Sequence, residues 1–182
     1  MRPAPRGTDR PLCDDPAGAR GSDALSAAWE RPPGRPALGA AETHVWAFEA
    51  GSPAARDAGR RSVLAAYTHL PPESLHFSVS AFGKPELATP GDCPVLRIGF
   101  SASGGLALVA VQRDHAVGVD IEAMRELPDG IAERAMTTAE RQAYDVLPPA
   151  KRMAYFFDLW VAKEALAKTA GLGLRQPFDA FA

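Results

Sequence analysis

The stretch VGVDIE, residues 117–122, limits what this 182-residue chain can fold into more than any other segment. It begins as an apolar strand candidate and then sets two acids among hydrophobic residues. In a strand, residues two apart share a face, so Asp120 and Glu122 project together while Val119 and Ile121 point the other way. Two like charges side by side repel. A fold that keeps them together needs a reason, and the reason has to sit opposite them.

The last long helix candidate supplies one. In KRMAYFFDLWVAKEALAKTAG, residues 151–171, the apolar stripe contains Met153, Phe156, Phe157 and Trp160. At helical spacing Glu164 falls near the middle of that stripe, Lys168 lies four residues further on the same side, and Lys163 sits at the other flank. An ionised carboxylate on a core-facing stripe is costly unless it is paired or bound to a metal. Asp120, Glu122 and Glu164 together suit a hard cation, and Mg²⁺ with retained waters and substrate phosphates fits best. Lys163 and Lys168 can neutralise phosphate oxygens as point charges.

Taken singly, each piece has a plainer reading. A D-x-E pair at a strand end is usually a solvated face. Glu and Lys four apart on a helix usually form a surface salt bridge. The tripeptide Gly83-Lys84-Pro85 is by itself a turn. His44, His69, His76 and His115 have no metal-ligand spacing. The order and combination of the pieces carry the argument.

Composition narrows the class. Hydrophobic residues make up 46% and charged residues 23%, as in a globular domain. The net charge of −2 gives no basic footprint for nucleic acid. Cys13 and Cys93 match no metal or redox spacing and fit a reducing compartment. No apolar run is long enough to span a bilayer, and MRPAPRGTDRPL has no signal-type apolar stretch. A cytoplasmic protein without a membrane segment is expected.

Residues 1–40 are rich in Pro, Gly, Ala and Arg and cannot bury enough apolar surface to offset their ordering entropy, so a disordered extension is expected there. The fold is expected to begin near THVWAFEA, a strand. A helix follows in GRRSVLAAYTHLPPESL, stopped by Pro71 and Pro72. LHFSVSAF and VLRIGFSASGG read as strands, and LALVAVQRDHAVGVDIE as two strands joined across QRDHA. The remainder reads as helical: one helix from Glu133 to Asp145, an interruption at Pro148 and Pro149, and a longer helix over 150–170 with Gly171 as its C-cap.

The combination VGVDIE, a gap of about forty residues, then LWVAKEALAK, resembles the signature of the Sfp-type 4′-phosphopantetheinyl transferases. Their pattern is V-G-V/I-D-x-E followed by W/F-x-x-K-E-x-x-x-K. Upstream, FGKPEL and IGFSASGGLALVAV are similar to the family's G-K-P turn and its F-N-x-S-H-S-G segment. The resemblance spans residues 43–182 in order. It implies an α+β fold of two similar lobes, each a small antiparallel sheet packed against helices, with the site between them. The lobes would cover residues 41–113 and 114–182, the second incomplete relative to the family.

The resemblance also implies a function. The chain would be a holo-(acyl-carrier-protein) synthase type transferase, moving the 4′-phosphopantetheine arm of coenzyme A onto a serine of an acyl or peptidyl carrier protein. Asp120, Glu122 and Glu164 would hold Mg²⁺. Glu164 and Lys168 would be catalytic. Gly83, Lys84, Pro85, Ser101, Lys163 and Lys168 would bind coenzyme A, and Glu140 falls at an acidic family position. A monomer is expected. Three departures stand out: Ala102 replaces the family histidine, the chain between HVWAFEA and GRRSVLAAY is short, and the sequence stops at PFDAFA. They favour an alternative, a truncated relative that binds coenzyme A or a carrier protein without efficient catalysis. A carboxylate-metal phosphohydrolase would share the cation site but leaves GKP and WVAKEALAK unexplained.

Overall fold

Alternating THVWAFE forms strand β1, Thr43–Glu49, which pairs antiparallel with β5, Leu106–Arg113. The computed structural model describes residues 36–68, 70–81, 83–88, 95–127, 130–171 and 177–180. Strand β4, Leu96–Ser103, runs antiparallel to β5 on its other side, giving the order β1-β5-β4. The β4–β5 turn is the pair Gly104–Gly105, with φ of 59° and 85°, the left-handed conformation a two-residue hairpin requires. A second, two-stranded antiparallel sheet joins β2, Phe77–Val79, to β3, Pro85–Leu87.

Helix α1, Pro53–Thr68, covers the larger sheet. It begins six residues before the expected GRRSVL start, because Pro53 is tolerated in a first turn where its missing N–H is not needed. Val63, Leu64 and Tyr67 from α1 are fully buried with Phe48, Ile98, Val109 and Val111. Leu38, assigned to the extension by composition, is 4% exposed in this core, and its carbonyl accepts from Arg113 Nη1 at 3.2 Å. Residues 1–35, including Cys13, and Cys93 lie outside the described residues.

From Ile131 onward the regular structure among the described residues is helical. Helices α2, Ile131–Ala135, α3, Thr138–Val146, and α4, Pro149–Ala170, enclose Met136, Phe156 and Phe157. The single helix expected from Glu133 to Asp145 is two. Thr137 leaves the helix as an N-cap, its hydroxyl accepts from the Glu140 N–H at 3.3 Å, and Glu140 accepts from the Thr137 N–H at 2.7 Å. This capping box starts a new helix. Helix α4 ends as expected at Gly171 in the left-handed conformation, φ 69°.

The expectation of an α+β fold with small antiparallel sheets and helices holds. Both sheets are complete by Arg113; among the described residues after it none is in a strand. VGVDIE is extended but belongs to no ladder. It lies between β4 and α4 in a close stack of backbones. A Cβ on Gly99 would lie 3.2 Å from the Val119 nitrogen, and one on Gly118 would lie 2.6 Å from the Thr169 nitrogen and overlap the Ala165 carbonyl. Glycine at 118 is thus what lets the acidic segment touch α4. Among the described residues no helix is long and apolar enough to cross a membrane.

Candidate functional site

Strand alternation divides β4 between two environments. Ile98, Phe100 and Ala102 pack on the first core, while Gly99, Ser101 and Ser103 occupy the opposite face. Ser101 and Ser103 are two apart, as are Asp120 and Glu122, and the pairs meet in register. Ser101 Oγ donates to Asp120 Oδ1 at 2.7 Å, and Ser103 Oγ donates to Glu122 Oε2 at 2.9 Å. The Ala123 N–H donates to Ser103 Oγ at 3.1 Å. Side chains thus hold the acidic segment where a backbone ladder was expected.

The same segment meets the C-terminal half of α4. Lys168 Nζ donates to Asp120 Oδ1 and, at 3.1 Å, to Ser101 Oγ. The Asp120 side chain is 2% exposed, and its Oδ2 is buried with no hydrogen-bond partner. Glu164 lies one turn before Lys168. Burial raises its carboxyl above the usual range; the Lys168 ammonium opposes this, and the Asp120 and Glu122 carboxylates push it further up. Glu164 therefore senses the charges of Asp120 and Glu122.

Oxygen donors only, one of them buried and unpartnered, suit a hard divalent cation. Asp120, Glu122 and Glu164 are the residues able to hold it. As the side chains stand, no three His, Cys, Asp or Glu groups among the described residues converge as a ready cation site. The Lys168 ammonium supplies the positive charge beside Asp120 instead. The unpartnered Asp120 Oδ2 and the all-oxygen donor set nonetheless fit a hard cation in their chemistry.

A cleft of about 460 Å³ lies between β2–β3, the start of β4 and the end of α4, lined in part by Ser78, Lys84, Pro85, Arg97 and Thr169. A smaller one of about 200 Å³ shares Lys84, Pro85 and Gly171 with it and adds Gly83, Phe100 and Lys168. The Gly83-Lys84-Pro85 turn is thus brought to Lys168. Lys84 Nζ donates to the Val117 carbonyl at 2.9 Å and reaches the Thr169 carbonyl at 3.5 Å. Burial lowers the Lys84 pKa; Glu86 opposes that and Arg97 adds to it. The open, partly polar shape and its cationic groups suit a phosphate-bearing ligand.

Lys163 is a correction. It was expected to contact phosphate, but it is 3% exposed and faces the second core. Its ammonium donates to Glu140 Oε2 at 2.5 Å, to the Phe178 carbonyl at 2.6 Å and to the Ala135 carbonyl at 3.2 Å. Lys163 and Lys168 are five apart, which turns them well away from each other around α4. Met153, expected on the buried stripe, is 41% exposed; Phe156, Phe157, Lys163 and Ala167 form the buried set. Glu140 belongs to the capping box and the Lys163 pair rather than to the carboxylate cluster. Ala102 faces the first core, opposite to Ser101. Ser103 was missed, although its spacing from Ser101 repeats that of Asp120 and Glu122.

Comparison with known proteins agrees with the motifs. Residues 116–182 match the family model described as the 4′-phosphopantetheinyl transferase superfamily. The chain is 36% identical over 123 residues to "4′-phosphopantetheinyl transferase ffp" of Bacillus subtilis, covering 66% of this chain and 52% of the relative. It is 35% identical over 112 residues to "4′-phosphopantetheinyl transferase psf-1" of Bacillus pumilus, covering 62% and 46%. It is 30% identical over 121 residues to "4′-phosphopantetheinyl transferase Sfp" of Bacillus subtilis strain 168, covering 66% and 52%. The chain spans about half the length of these curated relatives. The resemblance to Sfp-type 4′-phosphopantetheinyl transferases is borne out.

Proposed function

We propose that this relative of the Sfp-type 4′-phosphopantetheinyl transferases moves the 4′-phosphopantetheine arm of coenzyme A onto a serine of an acyl or peptidyl carrier protein. The observation that carries the reading is Asp120: its side chain is buried, held by Ser101 and Lys168 and left with one unpartnered oxygen, and the same Lys168 lines the smaller cleft beside the Gly83-Lys84-Pro85 turn. Asp120, Glu122 and Glu164 would hold Mg²⁺ in this reading, and the ion would supply positive charge for the pyrophosphate oxygens.

The chain's own residues supply the rest. The carrier serine hydroxyl attacks the phosphorus that bears the pantetheine arm, and adenosine 3′,5′-bisphosphate leaves with the bond electrons. Glu164 is the acceptor of the serine proton in this reading. Lys84 and Lys168 line the path of the phosphates, and Ser101 adds a hydroxyl beside them. Lys163 has no phosphate role in this mechanism, because its ammonium is committed to Glu140. Catalysis here is positioning and charge stabilisation, as for phosphoryl transfer in general. A monomer acting in the cytoplasm is part of the proposal.

Ala102, which replaces the family histidine, favours a second reading, a relative that binds coenzyme A or a carrier protein and transfers poorly. One experiment separates the two. The chain is incubated with coenzyme A, Mg²⁺ and an apo carrier protein, and the carrier is weighed by mass spectrometry. The expected outcome is one added phosphopantetheine, lost with excess chelator and lost in Asp120→Ala. Coenzyme A binding without any mass gain selects the second reading. Transfer that persists in chelator overturns the cation.

A further inference from the structure

We propose that Ser103 is a positioning residue that orients the Glu122 carboxylate for cation binding. The inference rests on the reading of Asp120, Glu122 and Glu164 as a divalent-cation site. It starts from the absence of a ladder: residues 115–127 are extended or irregular, and none is in a strand. Backbone hydrogen bonds to neighbouring strands therefore do not set the aim of the two acids. Two hydroxyls on one face of β4 do.

The hydroxyls are not equivalent. Ser101 shares its oxygen with Lys168 and belongs to the Asp120–Lys168 cluster. Ser103 makes two contacts of its own, and they work together. Its oxygen accepts the Ala123 N–H at 3.1 Å, which occupies one lone pair and ties the hydroxyl to the backbone just past Glu122. Its hydrogen is then free to point at Glu122 Oε2, 2.9 Å away. One serine thereby fixes both the backbone and the side-chain oxygen of the same ligand.

The other support for Glu122 is weak. Arg125 Nη1 reaches Oε2 at 3.3 Å, but that side chain is 66% exposed and three residues away on an irregular segment. Exposed pairs of this kind contribute little order. Both contacts fall on Oε2, which leaves Oε1 as the oxygen available to a cation. Without Ser103 the carboxylate can swing toward solvent with Arg125, and the ligand set loses a pre-aimed member. Partners of this kind typically change metal affinity by about 10–100-fold.

The test uses Mn²⁺ as a spectroscopic stand-in for Mg²⁺, titrated into the chain alone and followed by electron paramagnetic resonance of the free ion. Ser103→Ala is expected to weaken Mn²⁺ binding by about tenfold. Ser103→Thr keeps the hydroxyl on a strand position and is expected to bind close to the unsubstituted chain. Asp120→Asn serves as the reference and is expected to lose binding. If Ser103→Ala melts earlier, Ser103→Cys, similar in volume with a weaker donor, carries the same comparison. Unchanged affinity in Ser103→Ala, with binding lost in Asp120→Asn, overturns the inference and leaves the cation site standing. Unchanged affinity in Asp120→Asn overturns the cation site itself, and the role of Ser103 with it.

Discussion

Lys163 and Lys168 show how one helix assigns two ammonium groups to different tasks. Lys168 reaches the carboxylate cluster; Lys163 closes a buried ring of acceptors from α2, α3 and the turn at Phe178–Ala180. Breaking a buried pair leaves the partner charge uncompensated, so Lys163→Met is expected to destabilise the chain by ~3–5 kcal/mol in urea unfolding. The double variant Lys163→Met with Glu140→Leu is expected to recover much of that loss, because apolar groups of similar volume often replace such a pair without penalty. Additive destabilisation in the double variant would contradict this account.

The same pair sets a pH dependence. Burial alone would raise the Glu140 pKa, but the Lys163 hydrogen bond and those from the Thr137 backbone and hydroxyl outweigh it and hold the group below 4.5. A lowered folded-state pKa contributes stability that is present above 4.5 and lost as the pH falls through the folded value. The unsubstituted chain should therefore lose stability on acidification in that window, and the double variant should lose less. At this scale much was legible in the sequence. Asp120, Glu122, Glu164 and Lys168 stood out because each is a charge in an apolar run. Lys163 was misread because α4 is covered on two sides, and periodicity cannot say which polar residue faces which cover.

Elements were legible where the pattern was local. β1, β4 and β5 follow from alternation, and α4 from its stripe and the Gly171 cap. The break between α2 and α3 was also written in the chain, as Thr137-x-x-Glu140, but a helical pattern through small polar residues hid it. The failure at VGVDIE has a different cause. Its composition favours a strand, yet Ser101, Ser103, Lys84, Lys168 and the backbone of α4, all distant in sequence, hold it. Gly118 is the residue that makes this possible. Gly118→Ala places a methyl against the Ala165 carbonyl and Thr169, backbone that cannot yield without moving α4. Overpacking of this kind costs about 1–3 kcal/mol or more. The expected result is a lower melting temperature together with weaker Mn²⁺ binding, since the shift separates Asp120 from Lys168 and Glu164. A folded variant with unchanged melting temperature and Mn²⁺ affinity would mean that the stack is not tight.

The molecule joins two cores of unequal size through the site. Among the described residues thirteen buried apolar side chains form the first core, and four form the second. Each buried aliphatic or aromatic side chain contributes about 1.5–3 kcal/mol of burial free energy, so fewer such contacts oppose opening of the second. The link between the halves is polar: Lys84 to the Val117 carbonyl, Lys168 to Asp120 and Ser101, and the glycine-lined stack around residue 118. Polar links of this kind give way more easily than a continuous apolar interface. Helix α4 should therefore open without unfolding the β-sheet, and the carboxylate site should come apart with it, because Glu164 and Lys168 ride on α4 while Ser101 stays on β4. Hydrogen exchange tests this. Amides across Pro149–Ala170 are expected to exchange faster than those across β4 and β5, and added Mn²⁺ is expected to slow α4 selectively, since a cation shared by Asp120, Glu122 and Glu164 pins the helix to the segment beside it. Equal protection in α4 and the sheet would show a single cooperative unit. Slowing spread evenly over both would show that the cation acts through global stability and does not tie α4 in place.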